Sequence, residues 1–204
     1  MSKGKFIFFE GMDFAGKTTC LMMLAKILEE KGVPFITTRE PGGSPLAEDI
    51  RRILLTDQTI SVPEQALLFQ VARSHHCRTV IGPALETGTW VLSDRYIISS
   101  LVYQNECEKL ILETTKTLNL IEPDHLVYAH CGYETTIARR QTRGDDNHLD
   151  ELYTKHYMRY SKLFDHYASK AGDATLKLDT NNPQHILELM LREFVDNIVG
   201  GQDV

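Results

Sequence analysis

Short unbroken apolar runs take turns with longer stretches whose apolar residues recur every three or four positions. Apolar runs fall at residues 6–9, 33–38 and 90–93, and strands with polar interruptions are also expected at 125–130 and 174–178. Runs of that length that are apolar throughout predict strands buried on both faces. Between them, Leu21, Leu24, Ala25 and Leu28 mark a helix from Thr18 that Gly32 stops. Ser44-Pro45 opens a second helix, with Ser as cap and Pro at the first position, over a stripe of Leu46, Ile50, Ile53 and Leu54. Pro63 opens a long third helix that runs to about Glu86. Further helices are expected from Ile97, over 106–119, over 132–143, from Leu149 to about Ala168, and up to about Val199. Strands that alternate with helices predict one five-stranded parallel sheet wrapped on both faces, an α/β fold.

The first strand ends in G-x-x-x-x-G-K-T, Gly11 to Thr18, and a helix follows. Strand, loop and helix in that order are the setting a phosphate-cradling loop requires. Phosphate oxygens need inward-pointing N–H groups, and Gly11 and Gly16 can adopt the backbone angles that provide them. Lys17 adds a mobile positive charge, the Thr18 hydroxyl suits magnesium, and the helix N-terminus adds partial positive charge. The stretch predicts a nucleoside-triphosphate site.

Other chemistry gathers where strands end, the edge at which ligands collect in an open parallel sheet. Arg39-Glu40-Pro41-Gly42-Gly43 closes the second strand, and Asp94-Arg95-Tyr96 closes the third. Asp94 there can hold magnesium and Arg95 a phosphate, or the two can simply pair with each other. Phe69 and Arg73 lie four apart on one helix face, suited to a flat base with carbonyl edges or to ordinary packing and solvation. Ser99, Ser100, Tyr103 and Gln104 form a polar strip in an apolar helix. Arg139, Arg140 and Arg143 end another helix before the breaker Gly144-Asp145-Asp146-Asn147, which reads as a solvated helix end or as a lid over about 139–150. His75-His76-Cys77 is not expected to bind metal, because adjacent helical residues point in different directions.

With 204 residues, the chain suits a single domain over 1–204. The formal charge of −6 argues against a general nucleic-acid binder, though not against phosphate ligands, which local arginines decide. Four scattered cysteines without C-x-x-C spacing indicate neither zinc nor a disulfide scaffold, and suggest a reduced cytoplasmic setting. The first residues lead straight into a strand, so no signal peptide is expected, and no apolar run approaches the ~20 residues of a membrane span. Residues 200–204 read as a frayed tail.

Taken together, Phe9-Glu10-Gly11-Met12-Asp13-Phe14-Ala15-Gly16-Lys17-Thr18-Thr19, Thr38-Arg39-Glu40-Pro41-Gly42-Gly43, Leu68-Phe69 with Ala72-Arg73, Gly88-Thr89-Trp90-Val91-Leu92-Ser93-Asp94-Arg95-Tyr96, Ser99 and Tyr103-Gln104 resemble thymidylate kinases of bacterial or phage type. The resemblance is close over residues 5–104 and looser beyond. It implies a nucleoside monophosphate kinase fold, ATP and Mg²⁺ as cofactors, dTMP as the small-molecule acceptor, and a homodimer through long helices such as 63–86. By the same resemblance residues 11–19 hold ATP, and Asp13 also accepts a hydrogen bond from the sugar 3′-OH. Arg39 and Arg95 hold the acceptor phosphate, and Asp94 with Thr18 organises the metal. Phe69 stacks on thymine, Arg73 donates to a base carbonyl, and Tyr103 crowds the place of a ribose 2′-OH. Ser99, Ser100 and Gln104 complete that pocket.

Some members of the family carry an arginine where this chain has Phe14. Here the lid is expected to supply it, through Arg143 first and Arg139 or Arg140 next, with Arg139 also near ATP. Two stretches depart from the bacterial pattern, Asn105-Glu106-Cys107-Glu108 and Asn147-His148-Leu149-Asp150, and both flank the acceptor pocket. They leave the kinase class intact and bear on how strictly thymine is selected. Two other readings remain: a related kinase with a broader acceptor such as dUMP or a 5-modified dUMP, and a regulatory P-loop ATPase.

Overall fold

The apolar runs become five strands: β1 (Phe6–Glu10), β2 (Phe35–Arg39), β3 (Trp90–Asp94), β4 (His125–His130) and β5 (Thr175–Asp179). A computed structural model describes residues 3–144, 152 and 154–200. The expectations for Asp145-Asp146-Asn147, for Asn147-His148-Leu149-Asp150 and for the tail at 201–204 lie outside the described residues. All strand pairs are parallel, in the order β2-β3-β1-β4-β5. The helices are α1 (Lys17–Glu30), α2 (Pro45–Thr56), α3 (Val62–His76), α4 (Gly82–Glu86), α5 (Ile97–Tyr103), α6 (Glu108–Thr117), α7 (Tyr133–Arg143), α8 (Tyr157–Lys170) and α9 (Gln184–Gly200).

β1 has no polar face because it lies mid-sheet with helices on both sides. Phe6 and Phe8 enter a core with Val91, Leu126, Tyr128, Ile111 and Phe164. Ile7 and Phe9 enter the opposite one, with Leu24, Leu28, Leu92, Val127 and Leu191. Alternate residues of one strand thus serve two layers, which is why the run reads as continuous apolar sequence. The register sets Asp94 beside both Phe9 and Arg39, so the polar ends of β1, β2 and β3 meet at one edge.

Three local expectations change. The stretch from 63 to 86 is not one regular α-helix: after α3 comes one wide π turn, Cys77–Ile81, before α4. Pro83 explains it, since proline has no N–H to give and crowds the carbonyl four residues back; the widened turn absorbs both problems. Residues 106–119 divide into a 3₁₀ turn, Asn105–Cys107, and α6. Ser44 stands at the N-cap of α2, but its hydroxyl leaves the helix and pairs with His75 Nδ1 at 2.9 Å.

Phe164 of α8 is fully buried, with Tyr103 and Tyr128 rings 5.6 and 6.4 Å away. Phe164→Ala is expected to destabilise the fold by about 3–5 kcal/mol. Urea unfolding would show a lower midpoint with an unchanged slope.

Candidate active site

The loop after β1 closes tightly. Gly11 has φ 142°, and a Cβ there would stand 2.0 Å from the Ala129 carbonyl oxygen, so no other residue fits. Gly16 (φ 88°) and Phe14 (φ 63°) also take left-handed conformations, which turn successive N–H groups inward. Lys17 follows at the start of α1, buried, its ammonium on the Met12 carbonyl at 2.8 Å. Burial, then the nearby Arg95 charge, lowers its pKa below that of an ordinary lysine. Thr18 Oγ1 lies 2.5 Å from Asp94 Oδ2, so the two residues expected to meet a metal are neighbours.

Arg95 occupies the middle of the site in a left-handed conformation, φ 74°. Its guanidinium pairs with Asp13, donates to Ser99 Oγ at 2.7 Å and lies over the Tyr103 ring at 5.5 Å. Burial works against the charge of Arg95, but Asp13 and the other acidic neighbours outweigh it and its pKa lies well above the usual value. Burial likewise opposes the Asp13 carboxylate, and Arg95 and Lys17 overcome it, leaving that pKa below the ordinary one.

Glu10 was not anticipated. At the buried end of β1 it accepts Tyr96 N–H (2.9 Å), Ser99 N–H (3.0 Å) and the Ser99 hydroxyl (2.6 Å). It therefore fixes the turn that carries Arg95, although burial raises its own pKa. A lone carboxylate ending an otherwise apolar strand was the signal available.

Toward β2, Arg39 reaches Glu48 of α2 at 3.1 Å, and Glu48 also accepts Gly43 N–H at 2.9 Å. Arg51 joins the same wall and donates to the Pro41 carbonyl at 3.0 Å. Burial and then the Arg39 charge lower its pKa. No motif distinguishes Arg51 from its neighbour Arg52, which instead pairs outside with Asp49. Only the rotation of α2 separates them.

Arg73 is almost wholly buried. Its Nε donates to Glu40 at 2.6 Å, Nη1 to Gln70, and Nη2 to the Tyr96 carbonyl and Ser100 Oγ, each at 3.0 Å. Four of its five donors are thus engaged inside the protein, and one N–H of Nη1 remains. Phe69 lies beside it on the cavity wall, as do Ser99, Ser100 and Gln104.

On the opposite flank, Arg139 donates to the carbonyls of Phe14 and Thr180 and to Thr180 Oγ1, so it braces the back of the phosphate loop. Arg143, one turn on, stands 5.8 Å over the Phe14 ring. Met12 and Ala15 are buried in the loop, and Thr19 lines the cavity. Among the described residues no group of three or more His, Cys, Asp or Glu side chains is placed to hold an ion.

One cavity of about 930 Å³ connects these parts, from Phe14 and Arg143 across Lys17 to Arg39, Phe69 and Arg73. A triphosphate loop at one end and an arginine-lined pocket with an aromatic wall at the other define a P-loop phosphotransferase of the nucleoside monophosphate kinase type. The thymidylate kinase profile matches residues 9–190. The thymidylate kinase of Symbiobacterium thermophilum is 42% identical over 142 residues, 66% of either chain; that of Alkalilimnicola ehrlichii is 31% identical over 98% of this chain and 95% of its own. The crystal structure of thymidylate kinase from Ehrlichia chaffeensis superposes with a TM-score of 0.74 at 25% identity, covering 95% of this chain and 99% of that one. The chain belongs to the thymidylate kinase family, whose members are ATP-dependent phosphotransferases.

The depressed Asp13 pKa has a pH signature. A lowered folded-state pKa stabilises the fold above the unfolded value, and that stability is lost as pH falls through the folded value. The stability gap between the unmodified chain and Asp13→Asn is therefore expected to hold steady above about pH 5 and to shrink below about pH 4. Denaturant unfolding across that range measures it.

Proposed function

We propose that the chain transfers the γ-phosphoryl group of ATP to the 5′-phosphate of dTMP, giving dTDP and ADP. The observation that carries this reading is the continuous cavity of about 930 Å³ whose lining brings Lys17 of the phosphate loop together with Arg39, Arg51 and Arg95. Both reactants are anionic, and charge spreads over the transferred group, so catalysis is chiefly positioning and electrostatic stabilisation.

In this reading residues 11–19 cradle the ATP phosphates and Lys17 neutralises the outer ones. Arg95 and Arg39, with Arg51 added, take the acceptor phosphate, and Glu48 gives up Arg39 when that phosphate arrives. Asp13 accepts the sugar hydroxyl, while the Tyr103 ring closes the 2′ side. Phe69 stacks on the base, and the remaining Arg73 N–H donates to its carbonyl. Thr18 and Asp94, neighbouring hard oxygen donors, are the residues that would hold Mg²⁺. The ion, when bound, offsets charge on the phosphate oxygens. Arg143, held against Phe14 beside the loop, is the arginine that closes on the transferred group.

The acceptor is identified by mixing the protein with MgATP and each nucleoside monophosphate in turn and following ADP. Turnover with dTMP alone is expected; acceptor-independent hydrolysis would replace the reading with a regulatory ATPase. Arg143→Ala is expected to lower kcat by ~10³ while KM for dTMP stays within about threefold.

The protein is also proposed to work as a homodimer in a reducing cytoplasm. Leu67 and Val71, 44% and 48% exposed, lie one turn apart on α3, and Leu67 lines a shallow surface pocket with the exposed Ile53 of α2, a face that suits a second copy. Its four cysteines are free and buried, and no helix among the described residues is long and apolar enough to cross a membrane. Sedimentation equilibrium is expected to give twice the chain mass, and Val71→Glu to give the single chain.

A further inference from the structure

His75 and His76 have no place in the chemistry above, yet both are tied to the loop that bears Arg39. His76 is fully buried on α3. Its Nε2 meets Thr38 Oγ1 at 2.8 Å and its Nδ1 meets Glu40 Oε1 at 3.1 Å. One tautomer satisfies both bonds: the Thr38 hydroxyl donates to Nε2, and Nδ1–H donates to the carboxylate. The other oxygen of Glu40 accepts Nε–H of Arg73, three residues before His76 on the same helix face. Glu40 is thus gripped at both oxygens by one helix.

The two residues that His76 holds flank Arg39. Along an extended chain Thr38 and Glu40 point one way and Arg39 the other, so fixing the pair fixes the direction of the arginine between them. The loop then folds back onto the same ring. A Cβ on Gly43 would come within 2.4 Å of His76 Nε2, so the backbone there packs directly against the imidazole. His75 adds a second tie, to Ser44, at the start of α2.

We propose that His76 is a positioning residue: through Thr38 and Glu40 it sets the separation between the arginine that takes the acceptor phosphate and the arginine that meets the acceptor base. Without His76 the Glu40 carboxylate keeps only its Arg73 partner and Thr38 loses its tie to α3, so the strand end that carries Arg39 is no longer fastened to the helix that carries Arg73. The role rests on the acceptor site proposed above. It differs from plain core packing in its signature, because the ATP side of the cavity has no bond to His76.

The test compares the unmodified chain with His76→Ala, His76→Gln and Thr38→Val, in steady-state kinetics with each substrate varied. His76→Ala is expected to raise KM for dTMP at least tenfold with KM for ATP within about twofold. His76→Gln, which can both accept and donate, should recover most of that loss. Thr38→Val should raise KM for dTMP about threefold while leaving circular dichroism and the melting temperature close to normal. If His76→Ala does not fold, Thr38→Val alone decides. Unchanged KM for dTMP in a folded variant, or equal losses for both substrates, overturns the positioning role alone. No turnover of dTMP by the unmodified chain overturns the acceptor reading itself, and the role with it.

Discussion

Guanidinium groups must be concentrated at one place before any phosphate arrives, and in the empty protein they repel one another. The structure answers with carboxylates spaced between them. Asp13 and Glu10 stand against Arg95, Glu48 against Arg39, and Glu40 against Arg73. The pairs differ in kind. Arg73 and Glu40 are buried, and loss of one partner would leave an uncompensated charge out of water. Arg39 and Glu48 are both roughly half exposed, so their attraction is screened by solvent and weak. Arg73 is thereby fixed and Arg39 is held only loosely.

The sheet makes this arrangement possible without long connections. Because β3 lies between β2 and β1, the polar ends of three strands arrive side by side, and Asp94 neighbours Arg39 on one flank and Phe9 on the other. The phosphate loop leaves the central strand, so Thr18 can reach Asp94 and Asp13 can reach Arg95. A slip of one residue in β3 would turn Asp94 away from Thr18 and point Ser93 toward it. The apolar strands on both faces hold that register, which ties the two cores directly to the chemistry.

Much of this was legible in the sequence, for physical reasons that also explain the gaps. The strands were visible because a strand buried on both faces has to be largely apolar, as residues 6–9 and 90–92 are. The phosphate loop was visible because Gly11 and Gly16 are required by backbone geometry at fixed spacing. Glu10, Glu40, Arg51 and His76 were not, since each acts through a partner far along the chain, and spacing reports only local geometry. The π turn at Cys77–Ile81 was equally hidden: Pro83 foretold trouble in the helix without saying that a wider turn would absorb it.

Phe14 shows how a substitution at one end of the site constrains the other. A short loop already enclosing Lys17 and facing Arg95 gains little from a third cation, which would have to be desolvated beside two others. An aromatic ring there adds no charge, and its negative face offers Arg143 a resting place 5.8 Å away. Arg139 uses its hydrogen bonds to fasten the same loop segment to Thr180, so α7 is anchored one turn before Arg143. The contact with the ring and the anchored helix together keep the Arg143 guanidinium beside the phosphate loop.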